Sequence, residues 1–525
     1  MTSRFRAHHP STPNRILVVL SLILLFTISF SAVGAQDLPV LRVGMNAPVA
    51  LDPALGSNDP EIALNRAIYD YLVNVKPDSS IAPALASAWD ISEDGLTYTF
   101  TLREGVTFHD GSAFSSADVV FTFNRLVELG SPALNLLGSD FVVAAPDATT
   151  VTFTLSAPNA DFLYGVGSRW AGVLKDGATA PNTIGEGDAA FASFNGTGAF
   201  VLTSFSPDDR AVFTTNTAWW GWSEQEAGLS GLEFIYFEDP VAQVDALLSG
   251  VVDHVFKIPS AQFSGLEGVE GIVPIQIATS QHPVIRLRAD AGFAGENPLV
   301  REAFKFATDR AALNDILLEG RGVVGHNDPI SPVYGAFYDA TAEDQAYDPA
   351  QACALLTEAG YPDGISLTLF TPDSLGYPEL ATVLQQFWAE ACINVTIEVR
   401  PESVYYSTVD QPEDWFNVEL GISGYGARPI PQQFLVEAYA STGIYNEAHW
   451  VDEELDALIA QAGATADTAE RAAIYSQISA IFRERGPIII PWFAPMLGAS
   501  SAAVQGLEMN PFPGLTDYTL VSLAG

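Results

Sequence analysis

ISLTLFTPDSLGYPELATVLQQFWAEACINVTIEV, residues 365–399, decides the fold class. Segments 367–370 and 395–399 are rich in β-branched and apolar residues, and the stretch between them carries apolar side chains at helical spacing. Strand, helix, strand in that order is a βαβ unit, whose two strands lie parallel. At least part of the sheet is therefore parallel, and the chain belongs to the α/β class.

The same mixed pattern continues in both directions. Strand signals recur at 41–43, 98–102, 151–155, 234–237 and 488–490. Three helix starts share one device. Asp239-Pro240, Asn297-Pro298 and Asp348-Pro349 each set a capping side chain before a proline that suits the first helical position. Gly250 and Gly360 stand where the first and third of these helices should stop. Ser115 with Asp118 has the spacing of a capping box for the apolar-periodic run 119–129. The stretch 96–153 departs from strict alternation and reads as hairpin, helix and further strands. Neither an internal repeat nor a low-complexity linker interrupts the chain, so the α/β regions should be lobes joined by short crossings.

Composition bounds the partners. The chain has 525 residues, 48% of them apolar, which is material for about three domains. Aromatic residues make up 11%, too many for a chain that stays unfolded. Against 63 acids stand 23 bases, a formal charge of −40, and the lysines are only Lys76, Lys175, Lys257 and Lys305. Such a field repels polyanions, which excludes general nucleic-acid binding and disfavours a basic membrane patch.

The N-terminus has the form of an export signal. Arg4, Arg6 and Arg15 precede the uncharged run 16–35, which closes on small residues with Val33 and Ala35 at the positions read before a cut at Gln36. The rival reading is an uncleaved anchor, since such a run is about long enough to span a bilayer. No cysteine follows it, so lipid attachment there is excluded. Removing residues 1–35 takes away three arginines and no acid, leaving about −43. The two cysteines, Cys353 and Cys392, sit in neighbouring helical segments. An exported pair can form one disulfide, and the alternative is two buried thiols. Their spacing suits neither a metal site nor a redox motif.

A search for catalytic signatures mostly eliminates them. The seven histidines make no His-Glu-x-x-His helix, and no lysine follows a glycine as a P-loop requires. Gly421-Ile422-Ser423-Gly424 puts Tyr425 where a nucleophile elbow needs glycine. His109-Asp110-Gly111 contains an acid–base pair, but Asp-Gly between apolar runs is first a turn signal. No metal or cofactor motif is present. Two readings remain: a binding protein, or a secreted hydrolase using a carboxylate pair, which sequence cannot exclude.

At this point a resemblance becomes visible. IAPALASAWDISEDGLTYTFTLREGVTFHDGSAFSSADVVFTFNR, residues 81–125, closely resembles the signature of the family 5 solute-binding proteins, the peptide- and nickel-type receptors of ABC importers. The match continues through Leu51-Asp52-Pro53, through GTGAFVLTSFSPDDRAVFTTNTAWW at 196–220 and through ALLSGVVD at 246–253. NPLVREAFKFATDR at 297–310, YDPAQACALLTEAGYPDG at 347–364 and NEAHWVDEELDALIAQA at 446–462 follow in family order.

The resemblance implies a two-lobed periplasmic-binding-protein clamshell with an extra domain in the first lobe. Domain I would comprise 37–72, 196–280 and 490–525, domain II 73–195, and domain III 281–489. A small solute would be engulfed between domains I and III and handed to an ABC permease driven by separate ATPase subunits. The resemblance favours peptides or peptide-like carboxylates, although relatives also take metal chelates, sugars or opines. It implies a monomer without catalytic activity.

For the ligand site it points to GISGYGARPIPQQF, residues 421–434. Dipeptide-type relatives carry an aromatic, two residues and then an aspartate that neutralises the peptide ammonium. Here Gly424 and Tyr425 precede Arg428, which replaces that acid. A buried guanidinium requires an anion, either a ligand carboxylate or one of the protein's own acids. Tyr425 is as well suited to packing as to lining the site. Arg286 and Arg288 share one strand face and could add positive potential, but a solvated strand face is the simpler expectation for both.

Overall fold

The strand Ile365–Pro372, the helix Tyr377–Glu390 and the strand Ile393–Arg400 form the expected unit. The two strands run parallel from Ile365 opposite Ile393 to Pro372 opposite Arg400. The computed structural model describes residues 38–525 apart from 57, 343–344, 407–414, 513 and 525. The export segment 1–35 and its expected cut at Gln36 lie outside the described residues. Leu380, Ala381, Leu384 and Trp388 recur at helical spacing on the crossover helix and are buried on the sheet. The fully buried Trp388 meets Phe304 edge-on at 4.9 Å and donates its indole N–H to Thr308 Oγ1 at 3.0 Å. Truncating such a side chain to alanine costs about 3–5 kcal/mol.

This unit belongs to a five-stranded mixed sheet. In spatial order its strands are Ile393–Arg400, Ile365–Pro372, Leu420–Tyr425, His282–Leu287 and Ile488–Ile489. The first three are parallel, and His282–Leu287 turns antiparallel. Cys353 and Cys392 are bonded, with Cα atoms 5.3 Å apart. The bond ties the helix Pro349–Glu358 to the residue just before the edge strand Ile393–Arg400.

A second, seven-stranded sheet has Val40–Met45 at its centre. That strand runs parallel to Gly231–Tyr236 on one side and to His254–Val255 on the other. The chain leaves this sheet after Ile277, enters the five-stranded sheet at His282, and returns between Ile489 and Met496. Two short crossings therefore join the two sheets.

A third, four-stranded antiparallel sheet holds Ala86–Ile91, Thr97–Leu102, Thr150–Thr154 and Val142–Asp147. Its core is aromatic: Phe123, Phe141 and Phe162 surround Phe153 at 4.8–5.8 Å.

Local signals behave as their chemistry demands. Asp239, Asn297 and Asp348 each accept a backbone N–H of their own first helical turn. Ser115 and Asp118 form the reciprocal box, and Gly250 and Gly360 take positive φ just past their helices. Several conspicuous motifs are structural. Asp52 of Leu-Asp-Pro pairs with Arg125, the last residue of the 81–125 stretch. The indoles of Trp219 and Trp220 both donate to the buried Asp70 carboxylate. Among the described residues no helix is long and apolar enough to cross a membrane.

Candidate functional site

The segment 421–434 begins inside the five-stranded sheet. Tyr425 is the last residue of the strand Leu420–Tyr425 and stands opposite His282. Gly424 is required by close approach, because a Cβ there would lie 1.8 Å from the Tyr377 hydroxyl oxygen. Tyr425 is buried among Phe434, Tyr439 and His282, and its hydroxyl donates to Glu447 at 3.1 Å. Of the two roles open to Tyr425, the structure shows packing.

Arg428 follows the strand, and its backbone is pinned. Its N–H donates to Ser280 Oγ, and its carbonyl accepts from Tyr334 and Ser280, so the loop is fastened to the first crossing. Pro431 opens the short helix Pro431–Phe434, which runs into a π-turn over Leu435–Tyr439. Such widened turns are frequent at functional sites. This one brings Glu437 back to Arg428, with Nε to Oε2 at 3.4 Å and side-chain exposures of 12% and 3%. The other carboxylate oxygen accepts from Gln433 at 2.9 Å and from Asn135 of the first lobe at 3.4 Å. Arg428 thus has its anion within the protein.

The expectation of a solvated strand face fails for Arg286, which is fully buried. Its guanidinium donates to Glu447 Oε2 at 3.2 Å and to the carbonyls of Val418 and Trp415. Burial pushes the Glu447 carboxyl up, against the pull of Arg286 and of hydrogen bonds from Ser423 and Tyr425. Arg288 is committed elsewhere. It binds Asp290 at 2.7 Å and the Asn417 carbonyl, and it stacks on Phe293. Both arginines satisfy backbone carbonyls of the turn that leads into the strand Leu420–Tyr425.

Beyond this loop, side chains of the two lobes approach one another. They touch where Ala160 N–H donates to Gly463 O at 2.9 Å and where the buried Asp161 pairs with Arg471. From the second lobe, Tyr406, Trp415 and Tyr445 form a half-buried row with ring centroids 5.8 and 6.1 Å apart. From the first lobe come Asp59, Lys257 and Arg169. Lys257 reaches Asp59 at 3.3 Å and keeps 57% of its side chain exposed. Asp59, and more weakly Glu402 of the second lobe, raise its pKa above the ordinary value. Arg169 stacks on Trp170 at 4.3 Å. Burial, and after it the neighbouring Arg428, bring its guanidinium down to about 9.

Arg169, Lys257, Asp59, Glu437 and Tyr445 were not singled out in the sequence. One signal was there for Arg169: between Leu155 and Lys175 the only other charged residue is Asp161. The His109-Asp110 pair does not assemble as an acid–base unit. His109 Nε2 meets the Gly198 carbonyl, while Asp110 binds Ser112 and Lys175.

Comparison with known proteins places this geometry. Residues 80–447 match the family described as bacterial extracellular solute-binding proteins, family 5 Middle. Heme-binding protein A of Haemophilus influenzae is 27% identical, with 91% of this chain and 91% of that protein covered. The dipeptide-binding protein of Escherichia coli is 26% identical, with coverage of 91% and 94%. Among solved structures, the ABC transporter-associated periplasmic binding protein DppA from Helicobacter pylori, in complex with peptide STSA, superposes with a TM-score of 0.80. It is 26% identical, and 93% of this chain and 98% of that chain are covered.

Proposed function

The chain belongs to the bacterial extracellular solute-binding proteins of family 5, and from that premise we propose that it is the receptor of an ABC importer, taking a peptide or peptide-like carboxylate outside the cytoplasm. The carrying observation is the likeness over nearly the whole length to a periplasmic binding protein solved with a peptide; charged groups of both lobes, Lys257 with Asp59 and the nearby Glu402, and the aromatic row Tyr406–Trp415–Tyr445 support it. Charges of both signs with apolar walls suit a zwitterion that has side chains. The relatives named for dipeptides and for a bound tetrapeptide support the same class.

In this reading each of the three sheets is the heart of one domain, bounded at 37–72 with 196–280 and 490–525, at 73–195 and at 281–489. The two crossings serve as the hinge. Arg428, Tyr425 and Gly424 form the floor of the site rather than its anchor, and Arg288 stiffens its border. The receptor acts as a monomer, because closure needs both lobe faces free. It has no catalytic role and delivers its cargo to a permease with separate ATPase subunits. Export uses residues 1–35, with the mature chain starting at Gln36.

Native mass spectrometry of the protein as purified tests the reading. A stoichiometric small molecule, released on denaturation, is the expected result. Small-angle scattering should then show a smaller radius of gyration with ligand than without, at unchanged mass. A protein that retains nothing and extracts nothing from a mixture of short peptides would overturn the peptide assignment. A confirmed ligand with no compaction would overturn closure.

A further inference from the structure

A cavity of about 140 Å³ takes its whole lining from the first lobe, and none of the residues placed at the solute site belongs to it. The C-terminal half of the helix Asp59–Ile68 walls one side through Ala63, Arg66 and Ala67. The hairpin of Val73–Val75 with Ile81–Pro83, the segment 219–225 and the chain end 516–520 supply most of the rest.

One charge in this lining is uncompensated. Asp70 is 7% exposed. Three donors meet at its Oδ2: the indole N–H of Trp220 at 2.8 Å, that of Trp219 at 3.2 Å, and the Thr197 hydroxyl at 3.0 Å. Among the described residues Oδ1 accepts only the same Trp219 N–H, shared at 3.3 Å. A carboxylate oxygen accepts about two donors, so Oδ1 keeps capacity. No described lysine or arginine forms an ion pair with Asp70. Arg66 acts on it from a longer distance, while its guanidinium donates to Asn74 at 2.9 Å and faces Asp517 at 3.9 Å. Glu224, another lining acid, is paired with Arg103 at 2.9 Å. Lys76 is exposed, and its field falls on Asp78. Burial raises the Asp70 pKa to about 6 despite its three donors. A buried carboxylate without a cation is costly unless something completes it.

The walls narrow the class of molecule. Trp219, Trp220 and Phe200 bring aromatic surface to the cavity, and indole faces attract organic cations. Trp220 already does so with Arg103, whose guanidinium lies 4.1 Å from its ring centroid. Asp70 repels an anion, and a neutral molecule leaves the Asp70 charge unpaired. The size is close to that of an engineered cavity of about 150 Å³ that holds benzene, so roughly six heavy atoms fit.

We propose that this cavity is a second binding site, which takes a small primary ammonium ion with its N–H on Asp70 Oδ1 and its carbon portion against the indoles of Trp219 and Trp220. The site is separate from the one that takes the transported solute, and it stands independently of the receptor reading.

The probe is fluoroethylammonium, followed by fluorine NMR on the mature chain. Fluoroethanol is its neutral counterpart, and potassium at equal ionic strength controls for monovalent cations in general. Wild type should bind the ammonium saturably at millimolar concentrations and the alcohol more weakly by roughly tenfold or more. Asp70→Asn should weaken the ammonium by roughly ten- to hundredfold. Ala67→Leu, which fills the space and leaves Asp70 in place, should abolish binding, and it serves if the asparagine variant folds poorly. In wild type the indole N–H signals of Trp219 and Trp220, assigned by replacing each with phenylalanine, should shift with the same dissociation constant. Equal binding by wild type and either cavity variant would overturn the proposal. So would equal affinity for ammonium and alcohol, displacement by potassium, unmoved indole signals, or no saturable binding by wild type up to tens of millimolar. If short peptides bind and the ammonium does not, this site falls and the receptor reading stands.

Discussion

Replacing Glu447 with glutamine should destabilise the second lobe far more than a one-atom change suggests. Arg286 is fully enclosed, and Glu447, at 4% exposure, is the acid facing it. Glutamine can keep one oxygen for the Ser423 and Tyr425 hydroxyls, which both donate to Glu447 Oε1, but its amide N–H then faces the Arg286 Nε–H and the guanidinium has no counter-charge. Removing one partner of a buried pair typically costs about 3–5 kcal/mol. For a unit of 150–250 residues that is a fall in Tm of roughly 6–20 °C. The pair itself contributes much less than this: burial holds the Glu447 carboxyl above its ordinary pKa in spite of Arg286, so desolvation offsets much of the attraction. Arg286→Met should cost a similar amount, because it strands the Glu447 charge and frees the carbonyls of Val418 and Trp415. The double variant should then cost at least about 2 kcal/mol less than the two singles together. Urea unfolding of the four proteins at neutral pH, followed by fluorescence, measures the cycle. Ligand affinity should fall in step for Arg286→Met, since the Trp415 backbone loses its anchor. A Glu447→Gln protein within about 1 kcal/mol of wild type would refute the claim that this pair is sealed from compensating water.

Three further outcomes are expected. His254 and His282 are buried neutral, each with its pKa lowered to about 4 by burial. Below its ordinary value near 6.5 the unfolded chain binds the proton more readily, so each histidine's contribution is complete above pH 6.5 and lost as pH falls toward 4. The stability difference between wild type and His254→Asn should change by roughly 3 kcal/mol between pH 7 and pH 4, and no change would sink the assignment. Reducing Cys353–Cys392, which closes a separation of 39 residues, should lower stability by about 2–4 kcal/mol in chemical denaturation with and without reductant. Gly424→Ala should cost about 1–3 kcal/mol by overpacking. Adding Tyr377→Phe should return part of that cost, because the nearest clashing atom is then gone; a thermal melt without any rescue would contradict the packing described.

The elements legible in the sequence were those whose causes are local. Asp239, Asn297, Asp348 and the Ser115–Asp118 box cap their helices through groups two to three residues away, so spacing alone identifies them. The βαβ unit at 365–399 announced itself by a change of apolar period within one stretch of chain. The family signature likewise lies in contiguous motifs, and those proved mainly to be folding devices, such as Asp52 meeting Arg125.

Which arginines are free was not legible. Arg428, Arg286, Arg288 and Arg169 are the same residue type in comparable apolar contexts. What separates them is whether an acid arrives, and that is decided by contacts distant in sequence. Arg286 meets Glu447 from 161 residues away through sheet register. Arg428 meets Glu437 because the short helix and the π-turn after it fold the chain back. Arg169 meets none among the described residues, since Glu437, whose field reaches it, is already engaged. Charge is a property of the residue and is written in the sequence. Neutralisation depends on distance and burial, and only the tertiary structure supplies those.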